Sequence, residues 1–244
     1  MAILFDIDHE NGGTTGWTGV GTGVVAHIDA ALAGTGYGLK IPVVSSTNVE
    51  ANKTFSGSNT NFRARWYYDA SNLTIGLGET FDWIQLNKGG SNNGYIQMRN
   101  NGGDLQIQPR LRDNDGNFPT PGFVTIANSG YCEIDCFGHL TAAYFKVYIN
   151  GSLAQEITGE NWDHTGGGGT ARWPFDDFEI GAVSSTDVGT SGDMYIDQVV
   201  ANDDGSVIGE YIPGGSGRAG LGSRSGGGAR TGGGGRGGGG ARTA

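Results

Sequence analysis

Two carboxylates at alternate positions, Glu133 and Asp135, are the strongest candidates for acid–base chemistry in this sequence. They lie in the run Tyr-Cys-Glu-Ile-Asp-Cys-Phe, whose period-two pattern predicts a strand with both carboxylates on one face. The opposite face would carry Cys132, Ile134 and Cys136. Two carboxyl groups about 5–5.5 Å apart can hydrolyse a glycosidic bond, one as nucleophile and one as acid and base. The pair therefore raises the hypothesis of a polysaccharide-degrading enzyme.

Metal and thiol chemistry have weaker support. Cys132 and Cys136 would lie roughly 13 Å apart along one strand, too far for a disulfide, so we predict reduced core residues. The four histidines show no zinc-like pairing. The run 113–117, Asp-Asn-Asp-Gly-Asn, resembles the start of a calcium loop but lacks the distal glutamate, which favours an ordinary turn.

Carbohydrate recognition is the other chemistry for which the chain has suitable residues. Sugar sites combine an aromatic platform with Asn, Asp and Arg side chains in nearby loops. The candidate contact residues are Arg65, Tyr67, Trp83, Trp162 and Trp173. Each residue type alone is more typical of a core or a turn. Together they predict a binding face.

The segment 213–244 is a Gly/Arg-rich tail with its own period. Its arginines recur every six residues, at Arg218, Arg224, Arg230, Arg236 and Arg242. In a helix of three residues per turn, such as polyproline II, they would share one edge. We predict that the tail docks into a partner or bundles with other copies, with a flexible linker as the alternative. It lacks the interleaved aromatic residues of RNA-binding Arg-Gly segments.

The charge of the chain is divided between body and tail. The whole chain has 15 basic and 25 acidic residues, and the tail holds five of the basic residues and no acid. An acidic body repels nucleic-acid phosphates, so we expect no nucleic-acid partner. The N-terminus lacks the pattern of a signal peptide, and no run of apolar residues is long enough to span a membrane. We expect synthesis in the cytoplasm and action at a virion or extracellular surface, without membrane contact.

The elements that must position these residues are predicted to be almost entirely strands. Period-two segments bounded by Gly, Asn, Asp or Ser predict strands at 2–8, 23–29, 37–44, 61–69, 80–87, 94–100, 104–111, 122–127, 131–137, 143–150, 152–158, 175–181, 193–201 and 206–212. The stretch 27–33 alone looks helical. Many short strands with regular turns predict an all-β body over 1–212, formed by two packed antiparallel sheets.

Several weak motifs in a consistent order resemble a known family. They are the opening at 5–12 with Trp17, the run 31–40, the strand 62–67, the hairpin 148–153 and the closing run 192–200. Together they resemble the laminin-G-like, concanavalin A-like jelly-roll lectin domains, including versions in bacteriophage virion proteins. The resemblance implies a jelly-roll sandwich over about 1–212. It also implies one structural calcium between the first and last strands, with Asp6, Asp8, Glu10 and Asp197 as ligands.

The same resemblance bears on the enzyme hypothesis. Glu133 and Asp135 match the first two acids of the catalytic strand in concanavalin A-like glycoside hydrolases. The third acid falls on Phe137 or Gly138, neither of which can transfer a proton, and His139 lies one step beyond these positions. The sequence therefore favours a non-enzymatic protein.

We predict a virion surface or assembly protein that binds host glycans or decorates a capsid or tail, and that forms homo-oligomers. A polysaccharide-degrading enzyme and a purely structural scaffold are the alternatives. No cofactor beyond the calcium is expected.

Overall fold

The computed structural model describes residues 3–56, 61–162, 173–184 and 189–210, and these ranges form two antiparallel sheets. The strands are β1 (Ile3–Ile7), β2 (Gly19–Val20), β3 (Val25–His27), β4 (Gly38–Val44), β5 (Val49–Thr54), β6 (Asn61–Asp69), β7 (Leu73–Thr74), β8 (Thr80–Lys88), β9 (Ser91–Asn101), β10 (Asp104–Leu111), β11 (Val124–Thr125), β12 (Ser129–Phe137), β13 (His139–Ile149), β14 (Ser152–Trp162), β15 (Asp177–Ala182) and β16 (Ser191–Asn202). This confirms the all-β, two-sheet antiparallel sandwich.

The first sheet has the order β14-β13-β12-β6-β16-β4-β3, and β1 and β7 also pair with β16. The second sheet has the order β11-β10-β9-β8-β15-β5-β2. The helix-like stretch after β3 is a single 3₁₀ turn, Ile28–Ala30. No helix among the described residues is long and apolar enough to cross a membrane.

The core lies between the two sheets because each strand turns every second side chain inward. It includes Trp66 from the first sheet and Trp83 from the second, whose rings meet edge to face with centroids 5.4 Å apart. Cys132 and Cys136 are free thiols buried in this core, as predicted, and burial raises the pKa of both.

Two expectations about elements were wrong. The predicted strand 206–212 is not a strand over its described part, because residues 203–210 cross the outer face of the first sheet without joining a ladder. We call residues 203–210 the C-terminal strap. Strand β5 was missed because the apolar alternation in its sequence, Val-Glu-Ala-Asn-Lys-Thr, is short. It covers only Val49 and Ala51, and Lys53 takes the next position on that face. The predicted tail lies outside the described residues.

Candidate functional site

An open cleft of about 470 Å³ lies on the outer face of the first sheet. It is formed where β6 ends, β12 begins and the β13–β14 hairpin turns back. The lining residues are Leu32, Tyr67, Tyr68, Asp69, Ser129, Gly130, Tyr131, Asn150 and Glu210. We call this feature the tyrosine cleft.

Two tyrosines from neighbouring strands form its aromatic wall. Tyr67 on β6 lies directly opposite Tyr131 on β12, and the ring centroids are 5.8 Å apart at 52°. The guanidinium of Arg65 lies 5.2 Å from the Tyr67 ring centroid and donates to the backbone oxygen of Gln198 at 3.0 Å. Because Arg65 is only 4% exposed, its charge supports the Tyr67 ring from behind rather than lining the cleft.

The turn Asn150-Gly151 holds the second wall. Both residues have positive φ, 49° and 78°, as expected for the predicted two-residue hairpin turn. Asn150 forms two hydrogen bonds with the backbone of Tyr131. The backbone nitrogen of Asn150 donates to the backbone oxygen of Tyr131 at 2.9 Å, and the side-chain oxygen of Asn150 accepts from the backbone nitrogen of Tyr131 at 3.0 Å. A β-carbon at Gly130 would lie 2.5 Å from that side-chain oxygen, so this contact requires glycine.

Asp197 supports the third side of the cleft from within. It lies opposite Tyr67 on β16, and one carboxylate oxygen accepts from the backbone nitrogens of Leu32 and Ala33 at 2.9 Å and from the Thr35 hydroxyl at 2.6 Å. The other oxygen accepts from the backbone nitrogen of Gln198 at 2.8 Å. Burial raises the pKa of Asp197, and these four donors oppose that rise. The residue therefore fixes the loop that places Leu32 on the cleft.

The charge of the cleft is negative. Two of its described lining residues, Asp69 and Glu210, are acids, and none of the described ones is a lysine or arginine. Partial burial, together with the nearby Glu133 and Glu210, raises the pKa of Tyr131, so its hydroxyl keeps its proton at neutral pH. A ligand would thus meet two phenol rings, hydroxyl and carboxamide groups and two carboxylates.

The predicted carboxylate pair lies on the same face but is engaged elsewhere. Arg63 donates from Nε to Glu133 and from a terminal nitrogen to Asp135 at 3.1 Å. The Glu133 carboxylate also accepts from the backbone nitrogens of Ile208 and Gly209 in the C-terminal strap, at 3.0 and 3.2 Å. Glu133 is 3% exposed, so this carboxylate has little access to a substrate.

Three of the predicted sugar contacts are corrected by the structure. Trp83, Trp162 and Trp173 are at most 1% exposed and belong to the core. The rings of Trp162 and Trp173 meet edge to face at 5.3 Å. They supply packing area between the sheets and cannot serve as a sugar platform. Of the five predicted contacts, Tyr67 lines the cleft and Arg65 supports it.

The predicted calcium ligands do not fit the metal. Asp197 is occupied by four donors, and both carboxylate oxygens of Glu10 accept from the backbone nitrogen of Gly36 at 2.9 Å. Asp8 accepts from the Glu10 nitrogen at 3.2 Å, and Asp6 is exposed on β1. Among the described residues, no three His, Cys, Asp or Glu side chains are grouped to hold a metal ion. The prediction that these four residues form a ligand set is therefore not supported.

The loop at 113–117 is a turn, as the sequence favoured. Asp113 accepts from the backbone and side-chain nitrogens of Asn117 at 2.7 and 2.9 Å. The predicted docking residues of the tail, Arg218, Arg224, Arg230, Arg236 and Arg242, lie outside the described residues.

Sequence reasoning missed most of the cleft. Tyr131, Asn150, Asp69 and Glu210 were not proposed as ligand contacts, although the Asn-Gly turn was recognised. Tyr131 could have been found from its position in the strand. It lies on the same outward face as Glu133 and Asp135, the residues behind the enzyme hypothesis.

No family model and no curated protein matches the sequence. Among solved structures, the chain is similar to one described as "Cell entry of botulinum neurotoxin type C is dependent upon interaction with two ganglioside molecules", with a TM-score of 0.58, 11% identity and 84% of this chain covered. The match spans about half (49%) of that chain. It is also similar to "Cellulose induced protein, Cip1", with a TM-score of 0.57, 14% identity and coverage of 84% and 98%. At these identities the likeness shows the fold alone, a β-sandwich.

Proposed function

We propose that this protein is a non-enzymatic carbohydrate-binding β-sandwich that acts in adhesion at a virion or other extracellular surface, with the glycan held in the tyrosine cleft. The observation that carries the proposal is the pairing of Tyr67 with Tyr131 in an open cleft lined by Asn150, Asp69 and Glu210. Its volume lies within the range of about 300–1,000 Å³ that is usual for small-ligand sites.

The chemistry of the cleft suits a sugar. A pyranose ring has an apolar face of C–H groups, which packs on an aromatic ring, and a rim of hydroxyls, which carboxylates and carboxamides can bind. Because the described part of the lining contains two acids and no cation, we expect an uncharged glycan to bind better than a sialylated or uronic one.

Support for the carbohydrate class also comes from one structural neighbour. The description of the neurotoxin ties its cell entry to interaction with two ganglioside molecules, which are sialylated glycolipids, so it supports sugar binding in general and not the preference for an uncharged glycan. The virion setting rests on the resemblance of the sequence motifs.

The enzyme alternative is less favoured by the geometry. A glycosidase of this type needs one carboxyl that can give up a proton and one that can attack the sugar. Here Glu133 accepts from Arg63 and from two strap nitrogens, and Asp135 also contacts Arg63. A structural scaffold without a ligand remains the second alternative, and it predicts no binding to any glycan.

A glycan array followed by calorimetry tests the proposal. We expect the wild type to bind one or more neutral glycans and Tyr131→Ala to weaken the best of these at least about tenfold, or ~1.4 kcal/mol, through loss of the aromatic wall. Tyr144→Ala is the matched control, because Tyr144 is another outward-facing tyrosine of the same sheet that does not line the cleft. No binding across the array, or equal weakening in both variants, would contradict the proposal.

A further inference from the structure

The outer face of the second sheet, on the opposite side of the sandwich, carries three acids with unusual surroundings. Phe178 and Ile180 of β15 point into the core, so Asp177 and Glu179 share the outer face. Glu50 on the adjacent strand β5 lies opposite Gly181 on the same face. We call Glu50, Asp177 and Glu179 the acidic patch.

No cation neutralises this patch within the described ranges. The groups that contact Asp177 are neutral: the side-chain nitrogens of Asn87 and Asn52 donate to it at 3.3 and 3.4 Å, and the Thr54 hydroxyl at 3.3 Å. The patch thus differs from Glu133 and Asp135, which share an arginine.

Other titratable side chains face outward on the neighbouring strands. Asp82 on β8 accepts from Gln97, and Tyr95 lies on β9. Arg110 lies 5.3 Å from the Tyr95 ring centroid, and Arg99 lies 3.7 Å from the ring centroid of Phe123. These arginines lie on β9 and β10, away from β15 and β5, and are engaged with aromatic rings there.

The absence of a counter-ion affects protonation. Burial, and then the neighbouring Asp177 carboxylate, raise the pKa of Glu179 to about 7, while burial raises that of Glu50. At neutral pH Glu179 is therefore protonated in part of the molecules, whereas an ion pair would keep it ionised.

Unused acceptors point to a ligand that brings hydrogen-bond donors. Asn87 is only 5% exposed, and its side-chain oxygen has no donor among the described residues, although its nitrogen contacts Asp177. Over the same part of the chain, one buried carboxylate oxygen of Glu50 also has no donor. Buried acceptors left without donors are costly, so a partner rich in donors and positive charge would be stabilised here.

The tail of the protein has this chemistry. It holds five arginines and no acid, and a guanidinium presents five donors in a planar fork that matches a carboxylate. The described chain ends at Glu210, which lines the cleft on the outer face of the first sheet, whereas the patch lies on the outer face of the second. A tail would have to pass around its own sandwich to reach the patch, but a neighbouring copy can approach it directly.

We propose that the arginine-bearing tail of one copy docks on the acidic patch of another copy and links the chains into homo-oligomers. The patch supplies carboxylates and the Asn87 oxygen, and the tail supplies guanidinium donors. This arrangement leaves the tyrosine cleft on the opposite face accessible to a glycan.

Sedimentation velocity on the full chain at pH 8 in 50 mM salt tests the proposal. We expect concentration-dependent oligomers that dissociate in 500 mM salt, because screening weakens charge pairing. The double variant Asp177→Asn/Glu179→Gln should weaken association at least about tenfold, or ~1.4 kcal/mol. The control Asp104→Asn/Glu156→Gln removes the same charge from two exposed acids and should associate like the wild type. Replacing the five tail arginines by serine should have the same effect as the double patch variant.

The pH dependence provides a second readout. A guanidinium binds the ionised form of Glu179 more strongly than the protonated form. Glu179 ionises between pH 6 and pH 8 while the arginines stay charged, so association should strengthen over this range. The double patch variant should lose this dependence, and thermal unfolding would show that it remains folded. A monomeric wild type, equal association in the wild type and the double patch variant, or stronger association at pH 6 would each overturn the proposal.

Discussion

The contact between Tyr67 and Tyr131 shows which part of a site a local pattern can predict. The regular alternation of 61–69 was enough to place Arg65 and Tyr67 on one face. Tyr131 becomes the partner of Tyr67 only because β6 pairs with β12 in a particular register, with other strands between them in sequence. That register is set by packing of the whole sheet, so the cleft could not be assembled from local spacing.

The predicted sugar-binding tryptophans show a different error, in which buried residues were taken for surface contacts. A period-two reading assigns residues to faces only where the strand is regular. In β8 the register shifts between Asp82 and Ile84, and Trp83 and Ile84 are both fully buried in consequence. The residue type suggested a sugar platform, but Trp83 shares the inward parity of Phe81 and packs in the core, and the shift brings Ile84 inward as well.

Asp197 provides a prediction that separates a hydrogen-bonding role from a metal-binding one. In Asp197→Asn an NH₂ group replaces one carboxylate oxygen, so the groups that donate to that oxygen lose their acceptor. We expect a loss of about 2–4 kcal/mol in the free energy of unfolding, measured by chemical denaturation. Millimolar calcium should leave the wild-type melting temperature unchanged.

Asp193 on the same strand is the matched control for this experiment. It forms a partly exposed ion pair with Lys40 at 2.9 Å, so Asp193→Asn should cost less than about 1 kcal/mol. A calcium-dependent rise in melting temperature that Asp197→Asn abolishes would restore the metal prediction.

At the scale of elements, most strands with apolar alternation were predictable. The segments 61–69 and 104–111 match β6 and β10 in both bounds. The strap was not predictable, because its backbone nitrogens bond to a side chain, Glu133, and not to a neighbouring strand. Such bonds leave no periodic signal in the sequence.

The strap depends on Glu133, which leads to a further prediction. Glu133→Gln removes the charge that pairs with buried Arg63 and weakens the bonds to Ile208 and Gly209. We expect a loss of about 3 kcal/mol in the free energy of unfolding. Hydrogen exchange should accelerate at the amides of residues 208 and 209, while Glu156→Gln, at an exposed position, should leave both rates unchanged. Unaltered exchange in Glu133→Gln would show that the strap is held by other contacts.

For the molecule as a whole, the two outer faces of the sandwich are chemically different. The first sheet carries an aromatic cleft with the strap beside it, and the second carries the acidic patch, which no cation among the described residues neutralises. The division of charge between body and tail was evident from composition. Which face each function would use was not, because that depends on how the strands are ordered into sheets.

The account depends most on the tyrosine cleft being the place where sugar binds. Amide chemical-shift mapping of the full chain, titrated with the oligosaccharide that binds best on the array, tests this directly. We predict the largest shifts at residues 129–131, 150 and 151 and at Leu32, all of which lie in or beside the cleft. Shifts centred on the second sheet, or no saturable shifts at all, would contradict the account.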